Sequence, residues 1–200
     1  MPDGKSYKKK FVAANEMWLF LTRFLRDPRQ VGSVLPSSRY LAKAMVGEIE
    51  WARTRAVAEL GAGTGAITGV MMAAKPPGTK VFLFEKDDRL RQRLQQDFRD
   101  CICCADASEM ARAMRSQNVT GLDCVVSGLP FFNFPAPVRE SLLGQVASAL
   151  DPGGQFIAFQ YSLQLKPHLT RYFRIEKIKM APWNVPPAFV FVCRKKEGVS

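Results

Sequence analysis

Histidine is almost missing from this 200-residue sequence: His168 is the only one. Acids are scarce too, 18 against 29 basic residues, for a net charge of +11. The cluster Cys101-Ile102-Cys103-Cys104 has no second pair at zinc-finger spacing, so it reads as small apolar residues on a strand and no metal site is expected. Five cysteines, odd in number and three of them crowded together, exclude a disulfide framework and fit a reducing cytosol. No apolar run approaches the ~20 residues that cross a bilayer. The first apolar run carries charges on both sides and no small-residue cleavage site after it, so it reads poorly as a secretion signal. Repeats and low-complexity tracts are also lacking. What is present, 47% hydrophobic and 24% charged residues, is globular composition in a chain long enough to bury a core.

The positive charge sits at the two ends. Residues 1–56 hold 11 basic and 5 acidic residues, residues 57–160 hold 10 and 11, and residues 161–200 hold 8 and 2. A neutral centre with basic flanks fits a domain that docks on a polyanion, whether nucleic acid, a lipid surface or an acidic ligand.

After Lys5-Ser6-Tyr7-Lys8-Lys9-Lys10, the segment Phe11–Leu25 places Phe11, Ala14, Met17, Trp18, Phe20, Leu21, Phe24 and Leu25 over about half of a helix. Fifteen residues make only ~22 Å of helix, too short to span. An aromatic apolar face beside lysines suits a helix lying in a bilayer interface, with a helix packed on the domain core as the alternative. Asp27-Pro28 ends it. Residues 1–29 are therefore read as a basic amphipathic helix and 30–200 as the main domain, with 30–55 leading into it.

Residues 56–68 carry a short apolar strand into Gly61, Gly63 and Gly65, and then a helix that stops at Lys75-Pro76-Pro77-Gly78. Strand, glycine turn and helix open a nucleotide-binding βαβ unit. The next strand, Lys80–Phe84, ends in Glu85, an acid placed to accept hydrogen bonds from two ribose hydroxyls. A helix follows over 88–99, and then a strand near Cys101–Cys104 leads to Asp106. Asp106 can meet an adenine amine or cap a helix. Gly61, Gly63 and Ala66 satisfy a dinucleotide pattern, but Glu59 would stand beside a pyrophosphate and repel it. An adenosine ligand with an amino-acid tail tolerates that acid.

Glu59-x-Gly61-x-Gly63-x-Gly65, Glu85 and Asp106 together resemble the class I S-adenosylmethionine-dependent methyltransferases, over roughly residues 30–195. The resemblance implies an α/β, Rossmann-like fold with a seven-stranded, mostly parallel sheet whose last strand is antiparallel. It implies S-adenosyl-L-methionine as cofactor, with the glycine loop at its amino-acid part, Glu85 at the ribose and Asp106 at the adenine amine. It adds Lys86 and Ala107 beside those acids, and Ser127 and Gly128 at the end of the fourth strand. The run Arg26–Ser38, including Ser33, is similar to the lead-in of bacterial single-domain phospholipid N-methyltransferases, which convert phosphatidylethanolamine stepwise to phosphatidylcholine. That likeness implies a phospholipid substrate, an anionic membrane surface as partner through the N-terminal helix, and a cytoplasmic enzyme at the inner face of the membrane.

Ser127-Gly128-Leu129-Pro130-Phe131 also resembles the motif of ribosomal RNA adenine-N6 dimethyltransferases, with glycine where those enzymes carry asparagine. That weakens adenine recognition, makes nucleic acid the lesser expectation, and leaves room for a bulkier amine. A non-enzymatic membrane adaptor fits less well, because a dead site need not keep the glycine loop and Glu85. For an ethanolamine acceptor, Tyr161 is the expected polar group at the amine, or else a core tyrosine at a strand end. Phe131, Phe132 and Trp183 are candidate faces for a methylated ammonium, or else core. Lys166, His168, Arg171 and Arg174 are candidates for the lipid phosphate, with His168 alternatively a surface histidine.

Overall fold

The computed structural model describes residues 35–184 and 186–198. The expected membrane helix 1–29 and Ser33 lie outside them. Ser37–Ser200 packs as one unit built on a single sheet.

The strands follow from short apolar runs. They are β1 (Ala56–Leu60), β2 (Lys80–Phe84), β3 (Ile102–Cys104), β4 (Leu122–Ser127), β5 (Leu150–Gln160), β6 (Phe173–Ala181) and β7 (Ala188–Lys195), in the order β3-β2-β1-β4-β5-β7-β6. β1 to β5 run parallel, and β7 is antiparallel to both its neighbours, as expected. β1 is buried along its whole length, as the middle of a sheet covered on both faces must be.

Among the described residues, six α-helices accompany these strands. Those named below are α1 (Leu35–Val46), α2 (Ala66–Ala74), α3 (Asp88–Asp97), α4 (Met110–Ser116), α5 (Ala136–Ala149) and α6 (Lys166–Tyr172). Strand alternation divides the core. Val57, Val81, Val126, Ile157 and Val190 pack with Leu41, Met45, Met71 and Leu94 of α1 to α3. Ala58, Phe82, Val125, Phe156 and Phe191 pack with Met114, Leu143, Val146 and Leu169 of α4 to α6. α4 and α6 are short and had no clear periodicity in the sequence.

One stretch of β5 is irregular. Asp151-Pro152-Gly153-Gly154 interrupts the pairing inside the strand. Leu122 pairs with Leu150 and Cys124 with Gln155, so four residues loop out, with Gly153 at φ 73°. The buried Gln155 then fastens the turn after α1. Its amide donates to the Glu48 carbonyl at 3.1 Å and its oxygen accepts from the Glu50 amide at 2.9 Å.

Candidate functional site

Strand order reverses direction at β1, with β2 on one side and β4 on the other, so the crevice at their carboxyl ends is where a ligand belongs. A cleft of about 520 Å³ opens there, lined by Gly61, Glu85, Lys86, Asp106, Ala107 and Leu129 among others.

The loop after β1 is shaped by three glycines at φ 73°, 57° and 81° for Gly61, Gly63 and Gly65, a region that side chains strain. A Cβ on Gly61 would lie 2.7 Å from Leu129 Cδ2, and one on Gly65 2.7 Å from Phe98 Cε2. At Gly63 the nearest atom is the Gly61 carbonyl at 4.0 Å, so this backbone stands open. The Gly63 amide donates to Glu85 Oε2 at 2.8 Å, and the Asp87 amide to Glu85 Oε1 at 2.9 Å. Asp106 accepts from the Ser108 amide at 2.8 Å, which holds its carboxyl below the usual range. It caps a turn and lines the cleft at once.

Glu59 is fully buried beneath the loop. Its Oε2 accepts from Thr68 Oγ1 at 2.6 Å, and its Oε1 has no partner among the described residues. Burial, with the Glu85 charge adding, pushes it up to about 8. Thr68 was not singled out by the sequence. Only the helical register of α2 brings it under Glu59.

At the end of β4, the Gly128 amide donates to the Leu60 carbonyl at 2.8 Å. Ser127 Oγ accepts from the Leu129 amide at 3.1 Å, and Gln160 Nε2 donates to the Leu129 carbonyl at 3.0 Å. A Cβ on Gly128 would sit 3.0 Å from the Gly61 carbonyl. Glycine there answers a close approach of two backbones, more than it opens room for an amine. The far wall of the cleft, Val138, Ser141, Leu142 and Gln145 of α5, carries no motif and was invisible in the sequence.

The expected substrate residues are not all gathered at this cleft. Phe131 is fully buried and packs edge-on to Phe134 at 6.2 Å and Phe156 at 5.9 Å, so its ring belongs to the core. His168 Nδ1 lies 2.6 Å from Glu140 Oε1, and Arg171 Nη1 3.3 Å from Glu140 Oε2, a tie between α5 and α6. The hydrogen bond to His168 and the Arg171 charge hold Glu140 low against its burial. Trp183 is exposed in the β6–β7 turn. Tyr161 follows β5, stacks edge-on to Phe159 at 5.6 Å and faces Asn184. Burial raises its phenol above the ordinary value, outweighing the Asn184 contact.

Among the described residues, no group of three or more His, Cys, Asp or Glu converges. Burial pushes the Cys101 thiol up to about 12, and Cys103 and Cys104 upward as well, which favours the neutral thiol at all three.

The donor set suits an adenosine carrying an amino-acid tail. Open backbone at Gly63 and two acids at the ends of adjacent strands stand at one end of the sheet, and the buried Glu59 keeps an unpartnered oxygen beneath the glycine loop.

No protein-family model matches the chain. It is 30% identical over 184 residues to an ornithine lipid N-methyltransferase of Singulisphaera acidiphila, covering 90% of this chain and 96% of that one. The fold is that of the 1,6-didemethyltoxoflavin-N1-methyltransferase of Burkholderia thailandensis, solved with S-adenosylhomocysteine. That match has a TM-score of 0.63 at 15% identity over 98% of this chain and 92% of the other. The N-methyltransferase NodS of Bradyrhizobium japonicum, also solved with S-adenosylhomocysteine, matches with a TM-score of 0.65 at 13% identity, over 90% and 98%.

Proposed function

The chain belongs to the same family as that ornithine lipid N-methyltransferase, the class I S-adenosylmethionine-dependent methyltransferases, and from this premise we propose that its acceptor is the amine of phosphatidylethanolamine. Its mono- and dimethyl forms would follow, towards phosphatidylcholine. The observation that carries the reading is the likeness to a lipid N-methyltransferase along nearly that enzyme's whole length. In the same reading, residues 1–29 hold the enzyme on an anionic membrane, at the cytoplasmic face.

The cofactor supplies an electrophilic methyl group on a sulfonium, and the protein contributes orientation and electrostatics. Gly61, Gly63 and Gly65 would hold its amino-acid part, Glu85 its ribose and Asp106 its adenine amine. Each carboxylate oxygen of Glu85 accepts one amide and keeps lone-pair capacity for a hydroxyl. The acceptor amine resembles a lysine amine with a pKa of ~10.4, and only its neutral form attacks. Freeing it at pH 7 costs ~4–5 kcal/mol. Tyr161 has its phenol kept protonated by burial, so it acts by positioning the nitrogen with its oxygen, and the proton leaves to water.

An ornithine lipid is the second reading of the acceptor, favoured by the relative's own substrate. RNA is disfavoured by Gly128, where asparagine would crowd the Gly61 carbonyl. Transfer from radiolabelled S-adenosylmethionine decides among them. Vesicles containing phosphatidylethanolamine, vesicles containing ornithine lipid and total RNA are offered in parallel. Label in phosphatidylethanolamine, lost on Glu85→Ala, is the expected result. Label only in ornithine lipid moves the acceptor, and label only in RNA overturns the lipid reading.

A further inference from the structure

Acids and apolar side chains are segregated around the end of the sheet that carries the cleft. The loops after β2 and β3 hold Glu85, Asp87, Asp88, Asp106 and Glu109. The loops after β4 and β5 and between β6 and β7, residues 128–135, 161–165 and 182–187, hold no acid at all. These three loops share one end of the sheet. Gln160 pairs with Phe189, and Phe189 with Met180, which sets Met180 and the β6–β7 turn level with Tyr161. The turn at Phe131–Asn133 packs against the one at Leu163–Leu165.

This half of the rim exposes large apolar side chains: Trp183 is 75% exposed, Met180 60%, Leu163 47% and Phe132 44%. Single exposed apolar residues are ordinary, but several along one edge beside a cleft mark a contact surface. Prolines at 130, 135, 182, 186 and 187 stiffen the loops, so little chain entropy is lost when they dock. The cations nearby are in surplus. Lys166 is exposed, and Lys177 and Lys179 on the strand carrying Met180 share one carboxylate, Glu48. Amphipathic indole, apolar tips on acid-free loops and a local excess of lysine over acid match the interface of an anionic bilayer.

We propose that this acid-free rim, tipped by Trp183, Met180, Leu163 and Phe132, is a bilayer-contact surface that sets the mouth of the methyltransferase cleft against the membrane plane. It deepens the lipid-acceptor reading and rests on it for its purpose. It is a surface of the folded domain.

Brominated-lipid quenching tests it. The full chain with Trp18→Phe and Trp51→Phe, leaving Trp183 as sole fluorophore, is mixed with phosphatidylglycerol/phosphatidylcholine vesicles carrying dibrominated acyl chains. Quenching of Trp183 is expected. Hydrogen exchange on the unsubstituted protein needs no variant, and residues 178–184 should slow on vesicle addition. Trp183→Ser with Met180→Ser should lower vesicle partitioning about tenfold while leaving cofactor affinity unchanged. Unquenched Trp183 with unchanged exchange at 178–184 overturns the surface, even if lipid is methylated. Quenching and protection without any lipid methylation keep the surface and overturn the acceptor.

Discussion

The Gly63 amide donates to Glu85 at 2.8 Å, so the acid at the end of β2 braces the glycine loop that precedes it by 22 residues. The residue expected to meet the ribose is thus also part of the loop's frame. Glu85→Ala removes both roles. Hydrogen bonds to a charged group are worth about 1.5–3 kcal/mol each, so affinity for S-adenosylmethionine should fall at least about tenfold. Isothermal calorimetry reads it, and an unchanged Kd would separate Glu85 from the ligand.

Glu59 gives the fold a pH dependence of definite sign. A carboxyl whose folded pKa, about 8, lies above its ordinary value of 4.5 takes up a proton on folding. Its share of stability is therefore present at low pH and lost as pH rises through that interval. Melting temperature should drop from pH 5 to pH 8.5, and Glu59→Gln, which keeps an acceptor for Thr68, should flatten the drop. Parallel melting profiles for the two proteins would refute it.

Gly128→Asn introduces the residue expected of an RNA adenine methyltransferase where a Cβ meets the Gly61 carbonyl at 3.0 Å. Overpacking of this kind costs about 1–3 kcal/mol. Chemical denaturation should show that loss, and RNA methylation should not appear. A stable variant that gains RNA transfer would reverse the substrate reading.

His168 and Arg171 are engaged with Glu140 between α5 and α6. His168→Ala should lower stability by about 1 kcal/mol and leave kcat within a factor of two. A loss of kcat beyond tenfold with normal melting would return His168 to the substrate site.

Tyr161→Phe should lower kcat about tenfold, with KM for the cofactor unchanged, because the ring keeps its packing on Phe159 while the oxygen is lost. Its pH–rate profile should keep the wild-type shape, since a phenol that stays protonated does not titrate in the working range. A shifted basic limb would make Tyr161 a proton acceptor instead.

The cofactor half of the site was legible because its signals are local. Glycines that need positive φ and acids placed at strand ends are written at fixed spacing, and Glu59, Glu85 and Asp106 all lie where that spacing puts them. The acceptor half was not, because its signals depend on tertiary partners. Phe131 and Phe132 are neighbours of one type, yet one is core and the other exposed. His168 looked available until α6 set it against Glu140. Thr68 and the α5 wall have ordinary side chains whose meaning comes only from what stands opposite. The short helices α4 and α6 have too few turns for periodicity to speak.

The brace between Gly63 and Glu85 is complete within the protein's own chain, so it fixes the shape of the cradle by itself. A rigid cradle of this kind grips the parts of a ligand that do not change in the reaction. The demethylated product shares those parts with the substrate, so the enzyme should hold both with similar strength. Spent product would then compete with fresh donor for the cradle, so the rate would track the ratio of the two.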